Sequence, residues 1–401
     1  MRFASTTRRG IGRLAVLLPV MAVAAASGGA VAEVSYPETF KMGAVLNLTG
    51  PTAGQGADFR AGLELAAMQW NAKGGLGGSK IEIIFEDHGA QPAKAVTAAQ
   101  KLIQVDKVKV LANVYSSPVL AVVPIAQREQ VLQVSAGATS PRLVNVSKYF
   151  MTSVANAALE AEVVLAFARK KLGAGKIAIL YGNDDFGSGM RDAVKQLWPA
   201  GGGTIVGEEG IEPAKADLAA VSAKLAAAKP DGIYVALSGV AIGAAVKQLR
   251  EAGYTGPLLS HQGYEAPELF SVAGSAAANS FWTSAAITVG KAQEDAFVAA
   301  FKAAFNREPT IYVRTHFDLG MSLFEAMANL RKEGKAWTAE NVRAALLGLG
   351  TTTGVLGAFS YREDGTALRA LDIKTFKDGK SAIHLTAADV ESGGIFSFKA
   401  K

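Results

Sequence analysis

The sequence predicts an α/β chain of two similar lobes, and three observations carry that expectation. Strand-like apolar runs alternate with amphipathic helical segments from Lys41 onward, which means α/β architecture with parallel sheets. Several runs are continuously apolar, as expected of parallel strands covered on both faces. The rhythm also comes twice, with four βα units over residues 41–150 and four or five more over 176–287. Half of the 401 residues are hydrophobic, enough for a large core, and the length favours two domains over one.

The first 32 residues are expected to lie outside this fold. Arg2, Arg8, Arg9 and Arg13 precede an apolar run, Leu14–Ala26, and small residues close the segment with Ala30-Val31-Ala32. A basic start, a short apolar stretch and an A-x-A site describe a secretory leader, so the mature chain should begin near Glu33. The apolar stretch is short for a membrane span. Thr7-Arg8-Arg9 with Ile11 leaves twin-arginine export open beside the general secretory route. No later stretch is apolar enough to cross a bilayer, so an exported soluble protein is expected.

Strands are then predicted at Lys41–Leu48, Ile81–Asp87, Val108–Val114, Val131–Ala136, Lys176–Gly182, Thr204–Ile211, Gly232–Leu237, Pro257–His261 and Phe281–Ile287. Helical segments between them include Phe59–Asn71, Ala93–Val105, Leu159–Leu172, Leu218–Ala228 and Val240–Ala252, and the glycines of Lys73–Gly78 read as a helix stop. The remainder is more helical, over Gln293–Phe305, Thr315–Lys332 and Ala339–Leu347. It ends in Phe359–Glu363, Leu371–Lys377 and a short tail, which is expected to return to both lobes and make the connection between them a hinge.

Composition removes several classes of function. The full chain carries +6, but its first 32 residues hold four of the arginines and no acid, leaving +2 and no case for nucleic acid. There is no cysteine, hence neither disulfides nor thiolate chemistry. The four histidines, His88, His261, His316 and His384, have no metal-ligand spacing. No G-x-S-x-G elbow frames Ser116 or Ser117, and no G-K-[ST] follows the glycines near Lys80. Glu86-Asp87 and Asp184-Asp185 sit at strand ends, where carboxylates cap or are solvated. No catalytic constellation, cofactor or metal is implied, and a binding protein is expected.

Val108–Leu143 is the stretch that points to a site. Its two strands end in Ser116-Ser117-Pro118 and Thr139-Ser140-Pro141, each a helix-start signature. Hydroxyls, free N–H groups and a helix dipole together favour an anion such as a carboxylate. The same residues serve equally well as ordinary helix caps, and both readings stand at this point.

Further landmarks narrow the choice. Leu48-Thr49-Gly50-Pro51 with Gly56, Asn71-Ala72-Lys73-Gly74-Gly75, Glu86-Asp87, Tyr115-Ser116-Ser117, Gly137-Ala138-Thr139-Ser140-Pro141, Asp184-Asp185-Phe186-Gly187 and Leu249-Arg250-Glu251-Ala252-Gly253 follow one another in order. With these, the chain resembles the periplasmic solute-binding proteins of ABC importers, in the leucine/isoleucine/valine-binding group, over nearly its whole mature length. The resemblance implies two doubly wound parallel-sheet lobes joined by a three-crossover hinge that closes over a small ligand. It divides the chain into a lobe of residues 33–156 with 285–365 and a lobe of 157–284 with 366–401.

The same resemblance implies that Ser116, Gly137 and Thr139, with Ser117 beside them, hold a ligand carboxylate. It puts Gln262 where amino-acid-binding relatives carry an acid for the ammonium, and Ser238 or its neighbour Gly239 where an aromatic usually covers the ligand. A bound amino acid would then need another carboxylate, with Asp184, Asp185 and Glu265 the candidates, since an unpaired buried charge costs about 3–5 kcal/mol. Two ligands therefore stay open: an aliphatic amino acid or amide, and a non-amino carboxylate such as an aromatic or keto acid. Gln262, Gln55 and His261 suit hydrogen bonds to a neutral polar group, and Phe186 suits an apolar wall or plain core packing. The partners implied are the small ligand and the permease of an importer, with a sensory receptor as the alternative, and the protein itself is expected to be a monomer.

Overall fold

The structure, a computed structural model, describes residues 34–212, 217–238 and 241–395. The expected leader, Gly239 and the last residues of the tail lie outside the described residues.

The first lobe begins with a five-stranded sheet. Its strands are β1 (Thr39–Leu46), β2 (Lys80–Asp87), β3 (Val110–Asn113), β4 (Leu132–Ser135) and β5 (Phe150–Thr152), all parallel in the order β2-β1-β3-β4-β5. Helices α1 (Ala53–Ala72), α2 (Pro92–Gln104) and α3 (Ser116–Arg128) make the crossovers. The chain then passes through α4 (Ala157–Leu172) into a second sheet. That sheet is built on β6 (Lys176–Gly182), β7 (Thr204–Ile211), β8 (Gly232–Ala236), β9 (Leu258–Ser260) and β10 (Ser280–Ala285). Helices α5 (Asp185–Ala200), α6 (Ala219–Ala227), α7 (Ala241–Glu251) and α8 (Pro267–Ala273) connect them.

After β10 the chain returns to the first lobe as α9 (Lys291–Phe305), α10 (Ile311–Lys332) and α11 (Ala339–Gly348). A small antiparallel sheet follows, β11 (Thr351–Thr353), β12 (Ala358–Tyr361) and β13 (Ala367–Arg369). It crosses a third time into β14 (Leu371–Lys377), β15 (Lys380–Leu385) and α12 (Ala387–Ser392).

The second sheet runs β15-β14-β10-β9-β8-β6-β7. Counted from its first strand, its parallel part has the same order as the first sheet, so the twofold rhythm of the sequence is a repeat of topology. Its β14–β15 edge is antiparallel, and with the three-stranded sheet it departs from the all-parallel expectation. β13 stays paired with β12 through Arg369, so first-lobe pairing runs to 369 rather than stopping at 365.

Cores form on both faces of each sheet. In the first lobe Met42, Ala44, Val110, Leu132 and Met151 pack with α1, α10 and α11, while Val45, Leu111 and Val131 face α2 and α3. In the second, Leu180, Val235 and Leu258 pack on α7, and Ile179, Tyr234 and Leu259 pack on α4 and α5.

Two glycines let helices start close against strand ends. A Cβ on Gly56 would lie 2.0 Å from the carbonyl oxygen of Asn47, and one on Gly187 would lie 2.3 Å from that of Gly182. Both are landmark glycines, and both set the helix that follows the first strand of a lobe.

The crossovers are tied together by Arg369. Its Nε donates to the Ser153 carbonyl at 2.6 Å, its Nη1 to Asp318 Oδ2 at 2.9 Å, and its guanidinium lies 3.9 Å from the centre of the Phe359 ring. Asp318 also accepts from the Val355 N–H at 2.7 Å. Both charged side chains are buried, so one ion pair joins the first crossover, the third crossover and α10.

Candidate functional site

In open α/β sheets a crevice opens outside the carboxyl ends of the strands, where the strand order reverses. Each lobe has such a point, at β1/β3 and at β6/β8, and one cavity of about 630 Å³ is lined from both. Its walls come from the turns after β1, β2, β3 and β4 and from those after β6, β7, β8 and β9, with Glu160 and Tyr312 added from α4 and α10. All eight residues singled out in the sequence line it: Gln55, Ser116, Ser117, Gly137, Thr139, Phe186, Ser238 and Gln262.

The first-lobe wall is hydroxyl-rich and uncharged. α3 starts at Ser116 itself, two residues earlier than the Ser-Pro signature suggested, and its N-cap is Tyr115 at φ 60°. No side chain caps this helix, so its first N–H groups are left for water or a ligand. Ser116 Oγ accepts from the Ser140 N–H at 3.1 Å and keeps its own proton to donate. Gly137 donates to Ser135 Oγ at 3.2 Å and accepts from Tyr115 at 3.1 Å, which holds the two strand-end turns side by side. Thr139 is half-buried, and among the described residues its hydroxyl has no hydrogen-bond partner.

The second expected helix is absent. Pro141–Leu143 is a single 3₁₀ turn with Ser140 as its cap, and the chain goes on into β5. Asn145 at φ 55° and its bond to the Asp364 carbonyl at 2.8 Å stop any helix there. Of the two expected helix starts only that of α3 is present, and what Thr139 offers the cavity is its hydroxyl.

An aromatic floor lies beneath these turns. Phe59 meets Tyr312 edge-on at 5.6 Å and Tyr115 at 6.3 Å, and the Tyr115 hydroxyl donates to Gln55 Oε1. The sequence reading missed Phe59, Tyr312 and Tyr115 as lining residues. Tyr115 sat inside a quoted motif, but the helical spacing of Phe59 looks like ordinary core.

The second-lobe wall is acidic. Glu160, Asp184 and Glu212 line it, and among the described residues no lysine or arginine does. Asp184 caps α5 by accepting from the Gly187 N–H at 2.7 Å; burial pushes its carboxyl above the usual range, with the neighbouring Asp185 and Glu212 charges adding to that. Glu212 is exposed and accepts from Asn183 Nδ2 at 3.3 Å. Glu160 is 3% exposed; its Oε2 accepts from the Gln262 N–H at 2.7 Å and Thr283 Oγ1 at 3.1 Å, and burial raises it to about 7. Glu160 and Glu212 had no signal in the sequence beyond being acids near element ends.

Several expected roles change. Asp185 is outside the lining and pairs with Arg142 at 2.9 Å, and Glu265 is tied to Trp282, Ser381 and Lys374 in the second lobe. Of the three acids considered for an ammonium, only Asp184 faces the cavity. His261 lines the cavity but is fully committed: Nδ1 accepts from the Gly263 N–H at 3.0 Å, which leaves Nε2 to donate to the Leu237 carbonyl at 2.9 Å. Burial pushes it down to about 4, so it is neutral and offers a ligand no hydrogen bond. Gln262 Oε1 accepts from the Ala285 N–H at 2.9 Å, which takes one of its two lone pairs, and among the described residues its amide N–H groups have no acceptor. Phe186 packs on the His261 ring at 4.7 Å and is 7% exposed, so it is both wall and core.

The lobes also touch beside the cavity. Ser117 Oγ accepts from the Asp185 N–H at 3.3 Å, Ser140 Oγ donates to the Asp185 carbonyl at 2.8 Å, and a Cβ on Gly189 would lie 2.7 Å from Ser140 Oγ. Among the described residues no group of histidine and acidic side chains is arranged to hold a metal, and no helix is long and apolar enough to cross a membrane.

Comparison with known proteins agrees with this architecture. The family profile described as periplasmic binding protein matches residues 39–380. A Leu/Ile/Val-binding protein homologue from Brucella melitensis is 27% identical over 369 residues, covering 91% of this chain and 98% of the relative. Two solved structures share the fold. One is the branched-chain amino acid transporter substrate-binding protein of Streptococcus pneumoniae in complex with isoleucine, with a TM-score of 0.76 and 24% identity over 87% of this chain and 99% of that one. The other is an ABC-transporter solute-binding protein of R. palustris in complex with benzoate, with a TM-score of 0.75 and 23% identity over 87% of this chain and 96% of that one. Two lobes of matching topology, a cavity at their facing strand ends and a profile match over most of the length lead to one statement: the chain belongs to the periplasmic binding protein family of Leu/Ile/Val-binding type, a family of solute-binding proteins and not of catalysts.

Proposed function

We propose that this protein is the exported solute receptor of an ABC importer and that it captures an amino acid of the branched-chain or aliphatic type, or its amide, as a zwitterion. One observation carries the ligand reading: among the described residues the cavity pairs an uncharged wall of hydroxyls and N–H groups with an opposite wall of three carboxylates and no cation. Ser116, Ser117, Gly137 and Thr139 receive the carboxylate, and the acidic wall receives the ammonium. Phe59, Tyr115, Tyr312 and Phe186 enclose the side chain. An anion without an ammonium would meet Glu160, Asp184 and Glu212 with no cation among the described lining residues to offset them.

Closure follows from the same division. Only the closed form lets one ligand touch both walls, so binding draws an open–closed equilibrium towards closure, and a membrane permease then takes the closed form. The Leu/Ile/Val-binding relatives and the isoleucine complex support this reading. The hinge partition stays at residues 156/157 and 284/285, with the third crossing at Ala370. A leader cleaved near Ala32-Glu33 would deliver a monomer to the periplasm.

A second ligand reading, an aromatic or keto acid, has its own support in the aromatic floor, the amide N–H donors of Gln262 and the benzoate-bound relative. A thermal-shift screen separates the two. L-leucine, L-isoleucine and L-valine should raise the melting temperature, while 4-methyl-2-oxopentanoate and benzoate should not; the reverse pattern replaces the amino-acid reading with the second one.

A further inference from the structure

The carboxylate that does the electrostatic work is not settled by counting acids, because the three differ in what they already hold. Asp184 caps α5 through Oδ1 and is only half-buried, and Glu212 is exposed and bonded to Asn183. Glu160 is different. It is almost fully buried, it lines the cavity, and only Oε2 is engaged, by Gln262 N–H and Thr283 Oγ1. Among the described residues its Oε1 has no hydrogen-bond partner. Glu160 also lies close to the other pole of the site, because the first N–H of its helix, that of Ala157, donates to the Thr139 carbonyl at 2.8 Å. We propose that Glu160 receives the ammonium group of the ligand on its free oxygen, and that in doing so it gives up a proton it carries in the empty protein.

This rests on the amino-acid reading above and deepens it. A buried carboxylate with half its hydrogen bonds missing is costly, and taking up a proton is the cheaper state while no cation is present. The groups around it reinforce this. Tyr234 on β8 is neutral and raised by burial and by Glu160, His261 after β9 is neutral, Thr283 on β10 is a hydroxyl, and Asp184 and Glu212 across the cavity are acids. Burial holds Glu160 near 7, so protonated and ionised forms are both populated close to neutral pH. An arriving ammonium selects the ionised form and the proton leaves to solvent. The uptake of the ligand is then coupled to proton release, and affinity weakens in acid.

Titration calorimetry of the mature protein with L-leucine, L-isoleucine, L-valine and 4-methyl-2-oxopentanoate tests this, from pH 5.5 to 8.5 and in buffers of different ionisation heat. The expected result is amino-acid affinity that falls about tenfold per pH unit below 7, with release approaching one proton per ligand at the acid end. Glu160→Gln should bind about 10- to 100-fold more weakly at pH 8 and with a flat pH profile. Wild-type protein that binds an amino acid without proton release overturns the role of Glu160 alone, and so does a Glu160→Gln variant that keeps the wild-type profile. Binding of the oxo acid only, or of none of the amino acids, overturns the ligand reading and this inference together. The proton count is read on the wild type, so it stands even if the variant does not fold.

Discussion

Thr139 and Ser116 offer a test that separates a binding hydroxyl from a structural one. The hydroxyl of Thr139 has no partner among the described residues, whereas Ser116 Oγ accepts from the buried Ser140 N–H at 3.1 Å. A hydrogen bond to a charged group contributes about 1.5–3 kcal/mol, or about a 10- to 150-fold change in affinity. Thr139→Val should therefore weaken ligand binding by that factor, yet leave the unfolding free energy of the empty protein within about 0.5 kcal/mol. Ser116→Ala should weaken binding by a similar factor and, by orphaning Ser140 N–H, also lower stability by about 1–3 kcal/mol. Calorimetry measures the first quantity, and urea unfolding without ligand measures the second. Wild-type dissociation constants in both variants would refute the anion site. Equal destabilisation by both would refute the claim that Thr139 is idle in the empty protein.

Two further expectations concern the framework. Arg369→Met leaves Asp318 buried and unpaired, which should cost about 3–5 kcal/mol in urea unfolding. Adding Asp318→Asn, which keeps an acceptor for Val355, should recover much of it, and a single-variant loss below about 1 kcal/mol would contradict the clamp. The second is a pH dependence. Burial pushes His88 and His261 down to about 4 and His316 to about 3 from the ordinary 6.5, so the fold favours their neutral forms. Their stabilising effect is complete above pH 6.5 and is lost as pH falls towards 4. Glu160 works the opposite way: raised from 4.5 to about 7, its contribution is complete below pH 4.5 and lost as pH rises to 7. The melting temperature of the empty protein should thus drop steeply from pH 6.5 to 4, and a flat profile there would argue against three neutral buried histidines.

The architecture was legible because its signals are local. Strand-like apolar runs marked nine strands within a residue or two, and Gly56 and Gly187 marked where helices start against strand ends. The short β5, three residues with no run of its own, was missed, and so was the antiparallel sheet formed by β11–β13. Both depend on long-range pairing that no local pattern announces. Pro141 misled in the other direction. Its Ser-Pro signature is a true turn start, but a helix needs following residues that propagate it, and Asn145 prevents that.

The site divides along the same line. Its first-lobe half was readable because each strand end carries its cavity-lining residues within a few positions, so order along the chain is order around the rim. The second-lobe half is not written that way. Glu160, Asp184 and Glu212 come from a hinge helix, a helix cap and a strand end, and they meet only because the sheet places β6 between β7 and β8 while α4 packs across β9 and β10. The position expected to carry the acid holds Gln262, yet its backbone N–H rests on Glu160. The acid missing from residue 262 is present one hydrogen bond away, supplied from a segment a hundred residues earlier. A search confined to one position would report a lost ammonium site; tertiary contact reports a relocated carboxylate, and Glu160→Gln distinguishes the two.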